Sequence, residues 1–197
     1  MAGAMRVFLA VDLRETLGPA AEAWGRAVAD AIGPRDAAGL SWVPAARIHV
    51  TVHFFGALDA RLVTRIQEAL GDRVPEPPFD VALDGGSIFP PRGRPRVLWL
   101  GTAPGAGTLA RLHAWIAPRV AGMGQPDRHA AFAPHVTIAR VRRDDGPAAA
   151  RALREAAALT PAPAGTARIE ALTLFESVPG AQGPTYVPLW QVPLSDG

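Results

Sequence analysis

Two copies of the pattern His-x-Thr-x lie 86 positions apart, as His49-Val50-Thr51-Val52 and His135-Val136-Thr137-Ile138. In each copy polar residues alternate with β-branched apolar ones, the pattern of a strand with one buried face. Side chains two apart on a strand share a face. Each copy therefore sets an imidazole beside a hydroxyl and commits the intervening side chains to a core behind them. Two such pairs facing each other supply two proton-transfer groups and two hydrogen-bond donors around one small anion. That equipment suffices for phosphoester chemistry without a metal.

The flanking patterns repeat in the same order. Arg6 to Leu13 reads as an opening strand, and Leu17, Ala21, Trp24, Val28 and Ile32 recur at helical spacing over 15–32, ended by Gly33-Pro34. The first His strand covers 47–55 and is closed by Gly56, with Asp59 as N-cap of a helix over 60–72. Strands follow near 79–84 and 96–101, joined by a loop over 89–96 rich in Pro, Gly and Arg. Then come a helix through Leu109, Leu112, Ile116 and Val120, which Pro118 shortens or kinks, and the second His strand over 132–141. Asp145-Gly146-Pro147 opens a helix to about 158, and strands follow near 167–175 and 185–192. Matching the elements that start near 47 and 135, 60 and 147, 79 and 167, and 96 and 185 gives offsets of 87 to 89, close to the 86 between the two motifs. The expectation is a pseudo-two-fold, duplicated α+β domain: one unit over 1–197, two lobes sharing a core, and the His strands adjacent at its centre.

Composition narrows the chemistry. The chain has no Cys, which removes disulfides, thiolate nucleophiles and zinc–thiolate sites. All 20 basic residues are Arg, so Schiff-base and lysyl-nucleotide chemistry are excluded. The net charge of +2 does not argue for nucleic acid by itself, although Arg92, Arg94 and Arg96, and Arg140, Arg142 and Arg143, form local clusters. Solvated surface charge is an equal reading of either cluster taken alone. No apolar run reaches the ~18 residues of a membrane helix, and no basic n-region precedes an apolar stretch, so the chain reads as cytoplasmic. There is no HExxH, no Asp-x-Asp pair and no phosphate loop; residues 101–107 lack the terminal Gly-Lys-Ser/Thr. No metal or other cofactor is expected.

Other residues take secondary places. Arg140, five past His135, falls nominally on the opposite face of a regular strand, unless the alternation breaks where the strand ends. Its guanidinium suits a phosphate or a stacked base. The matching residue five past His49 is Phe54; together they would flank a nucleobase, with core packing the plainer reading of Phe54. His53 shares the face of His49 and Thr51 if the strand stays regular, but roughly 13 Å separates an i, i+4 pair on a strand, too far for one metal ion. It reads as an edge residue. His113 falls in a helix and His129 in a loop, neither with an evident partner.

These residues are similar to those of a known family. The opening strand, the two motif segments His49–Gly56 and Pro134–Arg140, and the closing stretch through Gly183, Pro184, Tyr186 and Leu189 resemble the RNA 2′,3′-cyclic phosphodiesterases, also called 2′-5′ RNA ligases, of the two-histidine (2H) phosphoesterase superfamily. The resemblance implies two antiparallel sheets flanked by helices, with the site in a central cleft. It implies phosphate contacts from His49, Thr51, His135 and Thr137, with Phe54 and Arg140 at the base-holding positions. It further implies that His135 accepts a proton from water and His49 donates one to O3′, leaving a 2′-phosphate; the symmetry of the motifs alone does not choose between them. The implied partner is an RNA or oligonucleotide with a 2′,3′-cyclic phosphate end, bound by a monomer with no obligate protein partner. His53 and Phe55 depart from the usual motif, which bears on substrate preference. Two other readings stand beside hydrolysis: 2′-5′ ligation of RNA ends at the same site, and a non-catalytic RNA-end or nucleotide-binding module. Metal-dependent hydrolysis is disfavoured by the lack of carboxylate and Cys ligands.

Overall fold

The structure, a computed structural model, describes residues 4–125, 132–143, 145–181 and 183–195. It opens with β1 (Met5–Asp12), α1 (Gly18–Ile32), the single turn α2 (Pro34–Ala37), β2 (Leu40–Trp42), β3 (His49–Leu58) and α3 (Ala60–Leu70). It continues with β4 (Phe79–Phe89), β5 (Val97–Thr102), α4 (Ala106–Arg119), β6 (Val136–Val141) and α5 (Gly146–Leu159). It ends with β7 (Thr166–Ile169), β8 (Ala171–Val178) and β9 (Thr185–Pro193).

The strands form one curled antiparallel sheet in the order β7-β4-β5-β6-β3-β1-β8-β9, with β2 added beside β6. Its two halves, β3-β1-β8-β9 and β6-β5-β4-β7, meet where Val50 of β3 pairs with Val136 of β6. Both valines are fully buried, which anchors the seam in the core.

Topology revises how the repeat is matched. The unit β1-α1-β3-α3-β4 recurs as β5-α4-β6-α5-β8, since β1 and β5 each flank a His strand. The last strand of each unit is exchanged: β4 pairs with β5, and β8 with β1. Alternation locates strands but says nothing of their neighbours: matching 79 with the strand over 167–175 holds as β4 with β8, whereas matching 96 with 185 set β5 against β9 when the pairing makes β5 the counterpart of β1. The strand expected over 167–175 is two strands divided at Glu170, because β7 belongs to β4 and β8 to β1. Such interleaving makes the halves interdependent, and one hydrophobic cluster, from Val7 and Leu9 through Leu98 and Leu100 to Leu172 and Leu174, runs behind both.

Helices cover that face. The buried stripe Ala21, Trp24, Gly25 and Val28 of α1 has helical spacing, and α1 packs with α5 on the β4–β6 half. α4 packs on β3, with α3 beside it. Asp59 caps α3 as expected, accepting the Leu62 N–H at 2.9 Å. Asp145 precedes α5 but does not cap it; its carboxylate takes Arg143 Nε at 2.6 Å instead. A close approach fixes the α1 packing: a Cβ added to Gly86 of β4 would stand 2.3 Å from Trp24 Cζ2 and 2.7 Å from the Ala157 carbonyl oxygen.

Candidate active site

The Val50–Val136 pair sets the geometry of both motifs. Continued by one residue each way, that antiparallel register puts His49 across from Thr137 and Thr51 across from His135. With the valines buried in the core, all four polar side chains point to the opposite, open face and are half-buried there. The two His are diagonal neighbours, about 7 Å apart at Cβ. Two imidazoles so placed can touch opposite sides of one tetrahedral anion.

Backbone carbonyls orient both rings. His49 Nδ1 lies 2.8 Å from the Arg47 carbonyl oxygen, and His135 Nδ1 lies 2.8 Å from that of Ala133. A carbonyl only accepts, so each Nδ1 carries the hydrogen and each Nε2 is the nitrogen left to exchange a proton. His49 Nε2 is 3.1 Å from Thr51 Oγ1, so the hydroxyl donates to the neutral ring.

The alternation is broken in each His strand at the residue after the Thr. The pairing of β1 with β3 shifts register between Leu9–His53 and Ala10–Thr51, making Val52 a bulge. β5 and β6 shift between Leu98–Ala139 and Trp99–Thr137, making Ile138 the equivalent bulge. One extra residue reverses the facing of every side chain beyond it in the strand. Phe54 and Arg140, at odd offsets from their His, thereby return to the cleft face and are exposed there. Phe54 lies opposite Phe8, under the Arg6 guanidinium at 5.5 Å. The same bulge corrects the expectation for His53, which is turned into the core face opposite Leu9 and is only 9% exposed. It packs on Phe55 at 4.7 Å and His113 at 5.9 Å. Gly56 does not close β3; with φ of 79° it occupies a second register shift, and the strand runs on to Leu58.

Aromatic walls stand behind each imidazole. Phe8 and Tyr186 approach His49 at 4.9 and 5.0 Å, the latter edge-on. Phe89 and Trp99 approach His135 at 5.1 and 6.0 Å. Burial among the rings pushes His49 down to about 4, outweighing the upward pull of the Arg47 carbonyl and of Asp12; the charges of His135 and Arg140 depress it further. Asp12 lies directly opposite His49 in register. Burial raises the Asp12 carboxyl, but hydrogen bonds from Arg14, one of 2.6 Å, outweigh it and hold the group below its ordinary value. Arg14 also reaches the Tyr186 carbonyl oxygen at 3.4 Å.

With this geometry the chain matches the family model of the 2′-5′ RNA ligase superfamily over residues 19–180. The chain belongs to the 2′-5′ RNA ligase superfamily. It is 32% identical over 145 residues to the RNA 2′,3′-cyclic phosphodiesterase of Aeropyrum pernix, covering 73% of this chain and 80% of that protein. It is 30% identical over 144 residues to the protein of the same name from Archaeoglobus fulgidus, covering 71% and 74%. In fold it resembles E. coli LigT complexed with 3′-AMP, with a TM-score of 0.75 at 21% identity over 98% of this chain and 99% of that one. It likewise resembles TT0787 of Thermus thermophilus, with a TM-score of 0.71 at 26% identity over 96% and 97%.

In this member of the 2′-5′ RNA ligase superfamily, the pattern of the chain left several residues of the site unmarked. Tyr186 and Phe8 come from β9 and β1, Phe89 and Trp99 from the β4–β5 hairpin, and only the pairing of distant strands brings them to the His. His113 of α4 is another. Its Nδ1 donates to the Val52 carbonyl at 2.8 Å, tying down the bulge between Thr51 and Phe54. The equivalent Ile138 carbonyl accepts a backbone N–H, from Val43 at 2.8 Å. His129 lies outside the described residues.

Proposed function

We propose that this chain is an RNA 2′,3′-cyclic phosphodiesterase that opens the cyclic phosphate by acid–base catalysis between His49 and His135, without a metal. The observation that carries this is the seam itself. One register pair sets two imidazoles, each with Nε2 as its exchanging nitrogen, on one open face with a threonine beside each. Family membership and the relatives named for this activity support it. Among the described residues no three His, Asp or Glu cluster as a metal site would need.

In the proposed reaction His135 Nε2 accepts a proton from the attacking water as its oxygen bonds to phosphorus in line with O3′. The phosphorus–O3′ bond breaks, and His49 Nε2–H protonates the leaving O3′, leaving a 2′-phosphomonoester. Thr51, Thr137 and Arg140 meet the charge on the non-bridging oxygens, and Phe54 offers a face to the base. Burial keeps His49 neutral at pH 7, so the ring must take its proton from solvent as the phosphate anion binds: a negative charge beside Nε2 favours the charged ring and offsets the burial and the repulsion from His135 and Arg140 that disfavour it. The proposal includes a single-domain, cytoplasmic, monomeric enzyme that needs no protein partner. The hydrophobic cluster shared by both halves supports the first point, and among the described residues no helix is long and apolar enough to cross a membrane.

Phosphorus NMR of a 2′,3′-cyclic nucleotide incubated with the protein in excess EDTA tests this reading. A single new 2′-phosphomonoester resonance is expected. Absence of turnover until a divalent ion is restored, or a 3′-phosphate product, would refute it.

A further inference from the structure

We propose that the β4–β5 hairpin tip is a binding surface for the single-stranded RNA that leads into the cleft, gripping phosphates on the 5′ side of the terminal cyclic phosphate. This rests on the reading of the cleft as an RNA-end site and adds that the preferred substrate is an oligonucleotide rather than a mononucleotide.

The hairpin leaves the sheet at the rim of the cleft. Phe89, the last residue of β4, packs edge-on against His135, and Val97, the first of β5, pairs with Arg140. The seven residues between them include Arg92, Arg94 and Arg96, all exposed. At about 3.3 Å per residue the tip reaches on the order of 10 Å beyond that rim, a distance spanned by the next nucleotides of a bound strand. Arg92 and Arg96 take part in no ion pair among the described residues, and the nearby Asp145 is occupied by Arg143.

The tip is also held in shape. Arg154 of α5 donates to the Gly93 carbonyl, and Arg96 donates its backbone N–H to the Phe89 carbonyl at 2.7 Å. Between tip and helix lies an open groove of about 490 Å³, bordered by Arg92, Arg94 and Arg154. A groove of that size edged by three guanidinium groups suits a phosphodiester backbone, which presents charge along its length and asks for no sequence-specific contact.

The opposite rim gives the internal comparison. There the β8–β9 hairpin carries Tyr186 to His49, as the β4–β5 hairpin carries Phe89 to His135. Its tip, residues 179–184, contributes no charged residue of its own, and the one guanidinium packed against it, that of Arg47, comes from the turn before β3 and lies against Gly183. Arg14 on that side is neutralised by Asp12 at 2.6 Å. The bound strand leaves over the β4–β5 side, the rim whose own hairpin tip carries three exposed arginines.

The experiment compares the full chain with the triple variant Arg92→Ala, Arg94→Ala, Arg96→Ala. The control triple variant is Arg61→Ala, Arg65→Ala, Arg73→Ala, which removes equal charge from exposed positions on and just after α3. Fluorescence anisotropy of a labelled ten-nucleotide RNA with a 3′-terminal phosphate is read against salt, and kcat/KM is read on a 2′,3′-cyclic mononucleotide and on a ten-nucleotide RNA bearing the same end. The hairpin variant should bind the oligonucleotide about tenfold or more weakly at low salt. Its salt slope should be shallower by about 0.7 for each phosphate contact removed. It should keep mononucleotide turnover, and the control should match the unaltered chain. An unchanged oligonucleotide salt slope, or equal losses on both substrates, overturns the inference. Failure of the unaltered protein to open either substrate would instead overturn the reading of the cleft, while the anisotropy series would still decide the hairpin.

Discussion

The sharpest consequence of the site is electrostatic. His49 sits between Phe8 and Tyr186 and faces the charges of His135 and Arg140, and its pKa is pushed down to about 4. Relative to an ordinary imidazole this disfavours the protonated ring by roughly 3 kcal/mol, trimmed to about 2 kcal/mol by the ring's partial contact with solvent. The unfolded chain takes up this proton near 6.5 and the folded chain near 4. Between those values the unfolded state holds more protons, so stability falls as pH drops from 6.5 to 4 and is unaffected by this group above 6.5. A bound anion must reverse the shift. Sulfate is the suitable probe because it does not itself titrate over this range. Titration of the imidazole Cε1–H resonances by NMR, assigned with His49→Asn, should place His49 near 4 in the free protein and at least a unit higher with sulfate bound. Sulfate affinity should then rise as pH falls through the same window. A free-protein value near 6.5, or a value that sulfate does not move, would refute the account of how the ring acquires its proton.

Other substitutions test separate links. Thr51→Val keeps the shape of the side chain but removes the hydroxyl beside His49 Nε2; a loss of about 10²-fold in kcat is expected, with little change in urea stability. His113→Ala leaves the Val52 carbonyl without its donor and loosens the bulge that turns Phe54 to the cleft. Turnover should fall by roughly tenfold, and His113→Asn, which can present an amide N–H in the same direction, should recover most of it. Gly86→Ala should destabilise by about 1–3 kcal/mol in urea denaturation, because its Cβ collides with Trp24, yet leave the mononucleotide KM unchanged.

The parts of this molecule legible in its sequence are those governed by local periodicity. The alternation through both His motifs marks the two strands and the shared face of each His–Thr pair, and Asp59 marks the start of α3. The hidden parts depend on pairing. Nothing in Val52-His53-Phe54 announces a bulge, since both apolar and aromatic residues suit either face, so regular alternation assigns His53 to the cleft while it in fact packs in the core. The bulge at Ile138 likewise brings Arg140 onto the cleft face without any need for the strand to end. The exchange of β4 and β8 between halves is invisible for the same reason, and with it the placement of Tyr186, Phe8, Phe89 and Trp99 around the imidazoles. His113 on its own helix shows no partner; the Val52 carbonyl it holds is 61 residues away.

The most direct test of the two-histidine claim is a double-mutant cycle read by single-turnover kinetics on a 2′,3′-cyclic nucleotide, with folding of each variant checked by thermal melting. If His49 and His135 act as one acid–base unit, His49→Ala and His135→Ala each lose at least ~10²-fold in rate, and the double variant loses little more than the worse single. Near-normal turnover in either folded single variant, or losses that simply multiply in the double, would contradict a shared role at one phosphoryl group.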